Sequence, residues 1–587
     1  MFSLDIGHMW FQVDSGLSEE VSAAAAACGI QRDELFPDVR PADQRFGDFQ
    51  ANGVMPYAKS KKANPRQISE KIVTELKKKN VFQKKISVSI AGAGFINFKL
   101  SDEFLAEWLN TYKSISTFQK EIPCQLVGKK VVIDYSSPNT AKQMHVGHLR
   151  SMNIGNSIYR ILKFCGVNVV SDNHIGDWGT QFGILIMAIK RCKADISKLS
   201  LERIESLYKQ GVELTKNDDS ALSEARQELV KLQNGDVENT KIWKTINDVS
   251  QRSFDEIYKL ADVSFDYTLG ESFYNDKIDR VCSELIKSGI AEESNGALCV
   301  FHREHERFSK QPFIIRKSDG ASNYATTDLA TVLYRTEELG ADEIIYVTDG
   351  RQQDHFQQLF LTVQKWYSAY GRKYPVLKHV WFGTVLGEDN KAIKTRSGTS
   401  VKLKDLFSEA VDRALKIISE QSTALSNDEK FEVSEILGVD SVKYADLASN
   451  RTSDYVFSWD KMLSFDGNTA AYLLYAITRM KSILHKCNTN FDEIKVDTIG
   501  TVDERNLVRK LMHFPIILSQ TISDLRPHYL CTYLFELAGG YSTFYNSNRV
   551  IGEKSNIFER RLVLILRTLA IMEAGMNLLG LKTLEKM

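Results

Sequence analysis

Two histidines separated by a valine and a glycine, His145-Val146-Gly147-His148, have the spacing of a phosphate-binding helix start. Residues three apart share one face of a helix. The first turn of a helix offers unpaired N–H groups and the positive end of its dipole, which favour a triphosphate. Imidazole N–H donors there could stabilise charge developing on an α-phosphate as pyrophosphate leaves, and Gly147 would let an adenine ring approach the backbone. Taken alone, the pattern also fits two capping or buried, hydrogen-bonded histidines.

The residues around this pattern predict the strand–helix–strand unit that would hold it. Val131 to Tyr135 is a β-branched strand, Val146 to about Cys165 an apolar-periodic helix, and Val167 to Val170 a second strand. This order predicts a right-handed parallel unit of a doubly wound sheet. Further parallel strands are expected at Ile344 to Thr348 and at His379 to Phe382.

The first 125 residues predict a separate α+β domain. Helices are expected from Val13 to Cys28 and from Gln67 to Lys79, with a strand from Ile86 to Ile90 before a glycine-rich turn. Between Tyr57 and Lys85 there are ten Lys or Arg residues against two Glu. This excess could attract phosphates, although a solvated helix face is the simpler explanation.

The rest of the chain divides into an α/β region and a helical end. We expect the α/β region at residues 126–405, interrupted by a charged, helix-rich insertion at about 190–301. Residues 406–587 are expected to form an all-α domain, and no strand is predicted beyond Val401. His302 and His305 have metal-like spacing, but they are placed in the charged insertion with no third ligand apparent and are interpreted as surface.

Length and composition limit the classes of protein to which the chain can belong. A chain of 587 residues allows three or four domains, and its 75 basic and 75 acidic residues leave RNA contacts to local patches. The eight cysteines form no C-x-x-C pair, which argues against a zinc knuckle or a disulfide framework. With no membrane-spanning run and no leader pattern, we expect a cytoplasmic protein.

Longer stretches give the histidine pattern its context. Residues 136–151 and 173–183, SSPNTAKQMHVGHLRS and NHIGDWGTQFG, resemble the arginyl-tRNA synthetase form of the class I aminoacyl-tRNA synthetase signature, and the Rossmann dinucleotide fingerprint is absent. The similarity extends from Gly47-Asp48-Phe49-Gln50 to the carboxyl end. It implies a multidomain α/β fold: a Rossmann-like catalytic domain with a helical insertion, an N-terminal α+β domain for the tRNA elbow, and a C-terminal all-α anticodon-binding domain.

The resemblance also implies the ATP site. The class's second signature is replaced by a degenerate loop at residues 391–398, in which Lys394 is the closest match to the catalytic lysine. Lys142, just before the first signature, is implied to share its task, and a solvated basic turn is the alternative for the loop. The implied catalytic residues are His145, His148, Lys394 and Lys142, and the implied ATP contacts are His145, Gly147, His148, Lys391, Lys394 and Arg396. Mg²⁺ is expected with ATP, and no zinc or other dedicated metal site is expected.

An arginine side chain needs carboxylates and acceptors for a planar fork of N–H groups. Asp134 ends the first strand, at the sheet edge where ligands of such folds bind, and Tyr324 and Asp328 match the family's Y-x-T-x-D element. Alone, either Asp would be interpreted as a strand-end or N-cap carboxylate. Gln352 matches a further substrate contact of the family and is preferred for this role to Gln353, which is one position further along the chain. The implied arginine contacts are Asp134, Ser137, Pro138, Asn139, His148, Tyr324, Asp328 and Gln352.

Two regions resemble the family's tRNA contacts. Near the amino end, Phe95 could stack on an unpaired base of the elbow and Asn97 could hydrogen-bond to it, with core packing as the alternative for Phe95. In the helical domain, Tyr472, Tyr475 and Arg479 share one helix face that suits stacking on anticodon bases, and core packing is as good an explanation for Tyr472. The implied tRNA contacts are Phe95, Asn97, Tyr472, Tyr475, Arg479, Tyr545 and Met587.

The resemblance implies a monomer that acts on L-arginine, ATP and tRNA(Arg), with tRNA bound before arginine is activated. A class I synthetase for another amino acid is the closest alternative, and the cysteine-specific enzymes use a zinc site for which no ligand set is seen. A synthetase-like RNA-binding protein without catalysis is the second alternative. The intact His145, His148, Lys394, Asp134 and Asp328 argue against it.

Overall fold

An antiparallel sheet in the order β1-β2-β4-β3 organises the amino-terminal domain, so that β4 is an interior strand. The computed structural model describes residues 9–122, 124–318, 324–391, 393, 401–421, 425–487 and 494–587. The predicted helix at Val13 and the predicted strand at Ile86 are confirmed within one residue. The elements are α1 Val13–Ala27, β1 Val39–Pro41, β2 Phe49–Ala51, α2 Val54–Lys61, α3 Pro65–Leu76, α4 Asn80–Lys84, β3 Ile86–Ala91, β4 Phe95–Leu100, α5 Asp102–Thr111 and α6 Ile115–Glu121.

A parallel sheet in the order β11-β10-β5-β6 forms the centre of the α/β region. The elements of this region are β5 Lys130–Asp134, α7 Val146–Phe164, β6 Asn168–Asp172, α8 Thr180–Arg191, α9 Leu201–Asn217, α10 Asp219–Gln233, α11 Val237–Leu260, α12 Asn275–Lys287, β7 Ala291–Ser294, β8 Ala297–Val300, β9 Phe313–Arg316, α13 Tyr324–Glu337, β10 Glu343–Tyr346, α14 Gln353–Ala369, β11 Val376–His379 and β12 Val385–Leu386. The predicted unit β5–α7–β6 is confirmed, because β-branched residues and a helical apolar stripe mark it locally.

Two sequence predictions in this region are corrected. The strand predicted at His379 to Phe382 is instead Val376–His379, because beyond His379 the pairing is reduced to an isolated parallel bridge between Phe382 and Asp349. His302, interpreted as surface, is fully buried, and its Nε2 lies 3.2 Å from the hydroxyl of Thr362. The antiparallel sheet β7-β8-β9 was not predicted, since strands of four residues carry too little periodicity.

The carboxyl-terminal part is a helical bundle. Its elements are α15 Leu403–Gln421, α16 Asn427–Ala448, β13 Tyr455–Val456, α17 Trp459–Met462, α18 Ala470–His485, α19 Val502–Met512, α20 Phe514–Asp524, α21 His528–Ser547 and α22 Ser555–Leu578. The expectation of no strand beyond Val401 is wrong at one place, because β13 pairs in parallel with β12. All eight cysteines are free thiols. In the described ranges no helix is long and apolar enough to cross a membrane.

Candidate active site

A cavity of about 430 Å³ opens at the carboxyl ends of β5 and β10. Its lining residues come from six places in the chain and are Asp134, Ser137, Asn139, His174, Gly176, Glu271, Tyr324, Thr327, Asp328, Tyr346, Thr348, Gln352, His355 and Phe356. Most of the predicted arginine contacts are therefore brought together. Pro138 and His148 are outside this lining. Gln352 lines the cavity, whereas the side chain of Gln353 donates to the carbonyl of Gly350 at 2.9 Å.

The loop after β5 is held in a strained conformation. Ser136 and Ser137 have φ angles of 73° and 48°, a left-handed region that non-glycine residues adopt at some cost. Ser137 Oγ donates to Oδ1 of Asp134 at 2.9 Å, and its backbone N–H donates to Asn173 at 3.0 Å. These contacts fix Ser137 and Asp134 at the cavity wall.

Asp134 is paired within the protein. Nη2 of Arg335 lies 2.6 Å from Oδ2 of Asp134 and 2.8 Å from Oδ2 of Asp172, and all three side chains are buried. Burial raises the pKa of Asp172, an effect that the nearby Arg335 partly offsets. An internal guanidinium thus already pairs with the carboxylate that the sequence assigned to the ligand. Arg335 was missed because nothing in the pattern of α13 distinguishes it.

Asp328 pairs with a histidine. Nε2 of His355, in α14, lies 2.5 Å from Oδ2 of Asp328, in α13. Burial lowers the pKa of His355, but the hydrogen bond and the charge of Asp328 outweigh it, so that this pKa is raised overall. Tyr324, one turn before Asp328, is 63% exposed at the cavity mouth. The Y-x-T-x-D element therefore delivers both predicted side chains to the cavity.

Glu271 is the cavity carboxyl that the sequence did not reveal. Burial, with further contributions from Asp328 and Asp177, raises the pKa of Glu271 to about 8. Asp177 also accepts from the backbone N–H and the hydroxyl of Ser272, at 2.8 and 2.6 Å. The stretch at residues 173–183, which carries Asp177, therefore helps to position Glu271. This link between Asp177 and Glu271 could not be recognised without the fold.

The histidine pair occupies the first turn of α7, as predicted. The backbone N–H of His145 donates to Nδ1 of His148 and that of Gly147 to Nδ1 of His145, both at 3.0 Å. Burial, the other histidine and Lys142 lower the pKa of His148 to about 3, and burial and Lys142 also lower that of His145. Both rings are therefore neutral near neutral pH. With Nδ1 an acceptor, each Nε2 carries the proton and can donate to an anion.

The lysines assigned to ATP are only partly described. The Lys142 ammonium lies 5.5 Å from the centroid of the Tyr208 ring, and Lys142 is exposed. Lys391 is exposed, and its backbone N–H donates to Asp389 at 3.1 Å. Lys394 and Arg396 lie outside the described residues.

The predicted RNA contacts differ in exposure. Phe95 is partly buried, whereas Asn97 is 2% exposed and its Oδ1 accepts from Gln50 at 2.7 Å. In the helical domain Tyr475 is 52% exposed, and the guanidinium of Arg479 lies 4.5 Å from the centroid of the Tyr545 ring.

Two further predicted RNA contacts, Tyr472 and Met587, are partly buried against the core. The ring of Tyr472 packs on Phe535, with centroids 5.4 Å apart. Of the aromatic pair on α18, Tyr475 is thus the more accessible.

Three family models match the chain. The model described as "tRNA synthetases class I (R), catalytic domain" matches residues 116–459. "Arginyl tRNA synthetase N terminal domain" matches residues 15–100, and "DALR anticodon binding domain" matches residues 473–587. These matches follow the order of the three regions inferred from the sequence.

Individual proteins are similar over nearly the whole chain. The arginine–tRNA ligase of Haemophilus influenzae (strain 86-028NP) is 40% identical, with 98% of this chain and 100% of the relative covered. That of Marinomonas sp. (strain MWYL1) is 39% identical, with 97% and 99% covered.

Solved structures agree in fold. The arginyl-tRNA synthetase of Plasmodium falciparum superposes with a TM-score of 0.84 at 30% identity, covering 99% of this chain and 100% of that one. The Thermus thermophilus enzyme, at 21% identity, has a TM-score of 0.82 over 98% and 100% of the two chains. On the catalytic-domain match and the full-length relatives together, this chain belongs to the arginyl-tRNA synthetase family of class I synthetases.

Proposed function

We propose that this arginine–tRNA ligase binds the side chain of its amino acid between Asp328 and Glu271 in the acidic cavity. The observation that carries the assignment is the convergence of three carboxyl groups, Asp134, Glu271 and Asp328, on one cavity at the edge of a parallel sheet. Because Asp134 already pairs with Arg335, we assign the substrate guanidinium to the other two carboxyls. A planar fork of N–H donors can engage both at once.

Ser137, Asn139 and Gln352 would contact the amino-acid end of the substrate. Ser137 and Asn139 belong to the loop that leads from β5 towards α7, and Gln352 directly precedes α14. Pro138 and His148 are outside the lining and are proposed to contact only the α-carboxylate or the adenylate. This orientation directs the carboxylate towards the first turn of α7.

In the first step an oxygen of the arginine carboxylate attacks the α-phosphorus of ATP. The bond to the bridging oxygen of the β-phosphate breaks, which releases pyrophosphate and leaves arginyl-adenylate. The Nε2–H groups of His145 and His148 supply fixed donors for the charge that develops. Positioning and charge stabilisation are sufficient for this step, and no protein nucleophile is needed.

Lysines would neutralise the leaving phosphates. Lys142 precedes the histidine pair and is exposed, and Lys391, Lys394 and Arg396 are proposed for the β- and γ-phosphates by family resemblance. Mg²⁺ would accompany the triphosphate, held through phosphate oxygens and water.

In the second step the terminal 2′-hydroxyl of tRNA attacks the adenylate carbonyl. An ester bond forms, the bond between the carbonyl carbon and the phosphate oxygen breaks, the hydroxyl proton passes to solvent, and AMP leaves. The exposed Tyr475 and Arg479 support an anticodon contact, and the turn that ends at Phe95 supports an elbow contact. A cytoplasmic monomer is the proposed state, on the family resemblance and the free cysteines.

Exchange of ATP with labelled pyrophosphate tests the assignment. The wild-type protein is assayed with each amino acid in turn, with and without total tRNA, and arginine alone should support exchange. Asp328→Asn should raise the KM for arginine by about 100-fold, since it removes one charged acceptor. Asp354→Asn, which changes a half-buried carboxylate of α14 paired with Arg307, is the matched control.

Exchange supported by another amino acid would overturn the specificity. A wild-type protein without exchange in the presence of tRNA would favour an RNA-binding protein that has lost catalysis. An unchanged KM for arginine in Asp328→Asn would remove Asp328 from the pocket.

A further inference from the structure

The motif Gly47-Asp48-Phe49-Gln50 lies where the amino-terminal sheet meets the helical bundle. Asp48 is 3% exposed, and arginines from α19 approach both of its carboxylate oxygens. Nη2 of Arg505 lies 2.8 Å from Oδ2, and Nε of Arg509 lies 2.6 Å from Oδ1. The charge of Asp48 is therefore neutralised entirely by another domain.

The same motif reaches the strand that carries the proposed elbow contact. The backbone N–H of Leu100, at the end of β4, donates to Asp48 Oδ2 at 2.7 Å, and the backbone N–H of Asp48 donates to the carbonyl of Phe98 at 2.7 Å. Two residues on, Gln50 lies opposite Asn97 in the ladder and donates to its side chain. Asp48 and Gln50 thus hold β4 at Asn97, Phe98 and Leu100, two to five residues beyond Phe95.

The two arginines reinforce this junction with further contacts. Arg505 also donates to Asp102 at 2.6 Å and to the carbonyl of Leu100 at 2.7 Å. Arg509 donates to the carbonyls of Ala42 and Gly47, at 3.3 and 3.2 Å. The junction therefore joins several separate points of the amino-terminal domain to one helix.

A second pair of contacts widens the junction. The side-chain amide of Asn110, in α5, exchanges hydrogen bonds of 2.6 and 2.9 Å with the backbone of Val496, just before α19. The ring of Phe49 packs edge-on against His513, immediately after α19. The segment that precedes α19 and the residue that follows it therefore both contact the amino-terminal domain.

On its other side α19 is tied to the helices of the proposed anticodon surface. Glu504 is fully buried and pairs with Arg560 and Arg561 of α22, both at 2.8 Å. The hydroxyl of Tyr533, in α21, donates to the carbonyl of Lys510 at 3.0 Å. α21 also carries Tyr545, whose ring lies beneath Arg479. Contacts therefore run continuously from β4 to the anticodon helices.

We propose that Asp48, Arg505 and Arg509 form an interdomain clamp that sets the span between the elbow-binding turn and the anticodon-binding helices. The proposal rests on the proposed function, because it takes tRNA as the ligand that bridges both surfaces. A rigid connection makes the second contact of one RNA nearly intramolecular, so that the whole tRNA binds more tightly than either part. Asp48 is a positioning residue in this scheme.

The test compares two RNAs on the full-length protein. A tRNA(Arg) transcript spans both surfaces, whereas an anticodon stem-loop of the same sequence reaches only the helical one. We expect Asp48→Asn to weaken binding of the transcript by about tenfold and to leave binding of the stem-loop unchanged. In arginylation, the KM for tRNA should rise about tenfold, with kcat and the KM for arginine unchanged.

Asp43→Asn is the matched control, because Asp43 lies in the same domain but pairs locally with Arg45 at the surface. If Asp48→Asn does not fold, Arg505→Gln removes the ion pair with Asp48 from the side of α19 instead. Equal weakening of both RNAs, or of neither, would overturn the proposal. Wild-type protein that charges no tRNA would instead contradict the proposed function.

Discussion

The imidazole Nε2 of His355 lies 2.5 Å from the carboxylate Oδ2 of Asp328, at the wall of the acidic cavity. The pair joins helices α13 and α14, and it leaves Oδ1 of Asp328 as the oxygen that this hydrogen bond does not use. His355 therefore acts on the proposed ligand through the orientation of Asp328. Its raised pKa favours the charged form of the ring, beside a site for a cationic substrate.

Replacing His355 should weaken arginine binding without affecting ATP. In His355→Ala the carboxylate of Asp328 loses its hydrogen-bond partner and can rotate, so the KM for arginine should rise by about tenfold or more. His355→Gln, which keeps an N–H donor, should recover part of the loss. Gln357→Ala, an exposed residue of the same helix, is the control. An equal rise in the KM for ATP would point to general damage.

Glu271 should make arginine binding depend on pH. Its pKa of about 8 means that the free enzyme holds this carboxyl mostly protonated at neutral pH, and a guanidinium needs the ionised form. Binding then releases a proton, so the KM for arginine should fall as pH rises from about 6.5 to 8.5, by at most about tenfold per unit. Glu271→Gln should flatten the profile. An unchanged slope in this variant would assign the proton to another group.

The same residue should cost stability in the ligand-free enzyme. A carboxyl with a raised pKa keeps its proton in the folded state at pH values where the unfolded chain releases it, so its penalty grows from about pH 4.5 and levels off near 8. Glu271→Gln should therefore raise the melting temperature at about pH 8 by about 1–2 °C, and less at about pH 5. Differential scanning calorimetry without arginine measures this difference.

The sequence predicted what is local in this fold. The unit β5–α7–β6 follows from β-branched runs and a helical apolar stripe. The apolar stripe begins at Val146, which places the histidine pair at the start of α7. Asn97 shows the limit of such local reasoning. The side chain was predicted to face RNA, but β4 lies between β2 and β3, where most side chains are buried.

Residues that depend on long-range contacts could not be predicted. Arg335 meets Asp134 across 201 positions of sequence, and Asp177 meets Ser272, beside Glu271, across 95. Contacts between residues this far apart in the chain leave no periodic pattern in the sequence. The charge balance of the cavity, which decides which carboxyl meets the ligand, was therefore visible only in the folded chain.

Removing Arg335 should destabilise the protein severely. Arg335→Met leaves Asp134 and Asp172 buried side by side without a cation, a change that should cost about 3–5 kcal/mol of unfolding free energy. Urea denaturation monitored by fluorescence measures it. Arg280→Met, which removes a 48% exposed guanidinium from α12, should cost about 1 kcal/mol or less. Adding Asp172→Asn to Arg335→Met should recover part of the loss, and no recovery would contradict the pairing.

The tyrosines on α18 should separate RNA binding from folding. Tyr475 is 52% exposed, so Tyr475→Ala should leave the melting temperature almost unchanged while it weakens tRNA binding by about 10-fold through a lost stacking contact. Tyr472 is partly buried against Phe535, so Tyr472→Ala should also lower the unfolding free energy, by about 1–2 kcal/mol. Filter binding of a tRNA(Arg) transcript and thermal melting of both variants are measured together.

Because the two residues lie three positions apart on one helix, they share local propensity and differ mainly in burial. If Tyr475→Ala melts early and binds tRNA normally, the exposed ring has a structural role and the anticodon surface lies elsewhere on the bundle.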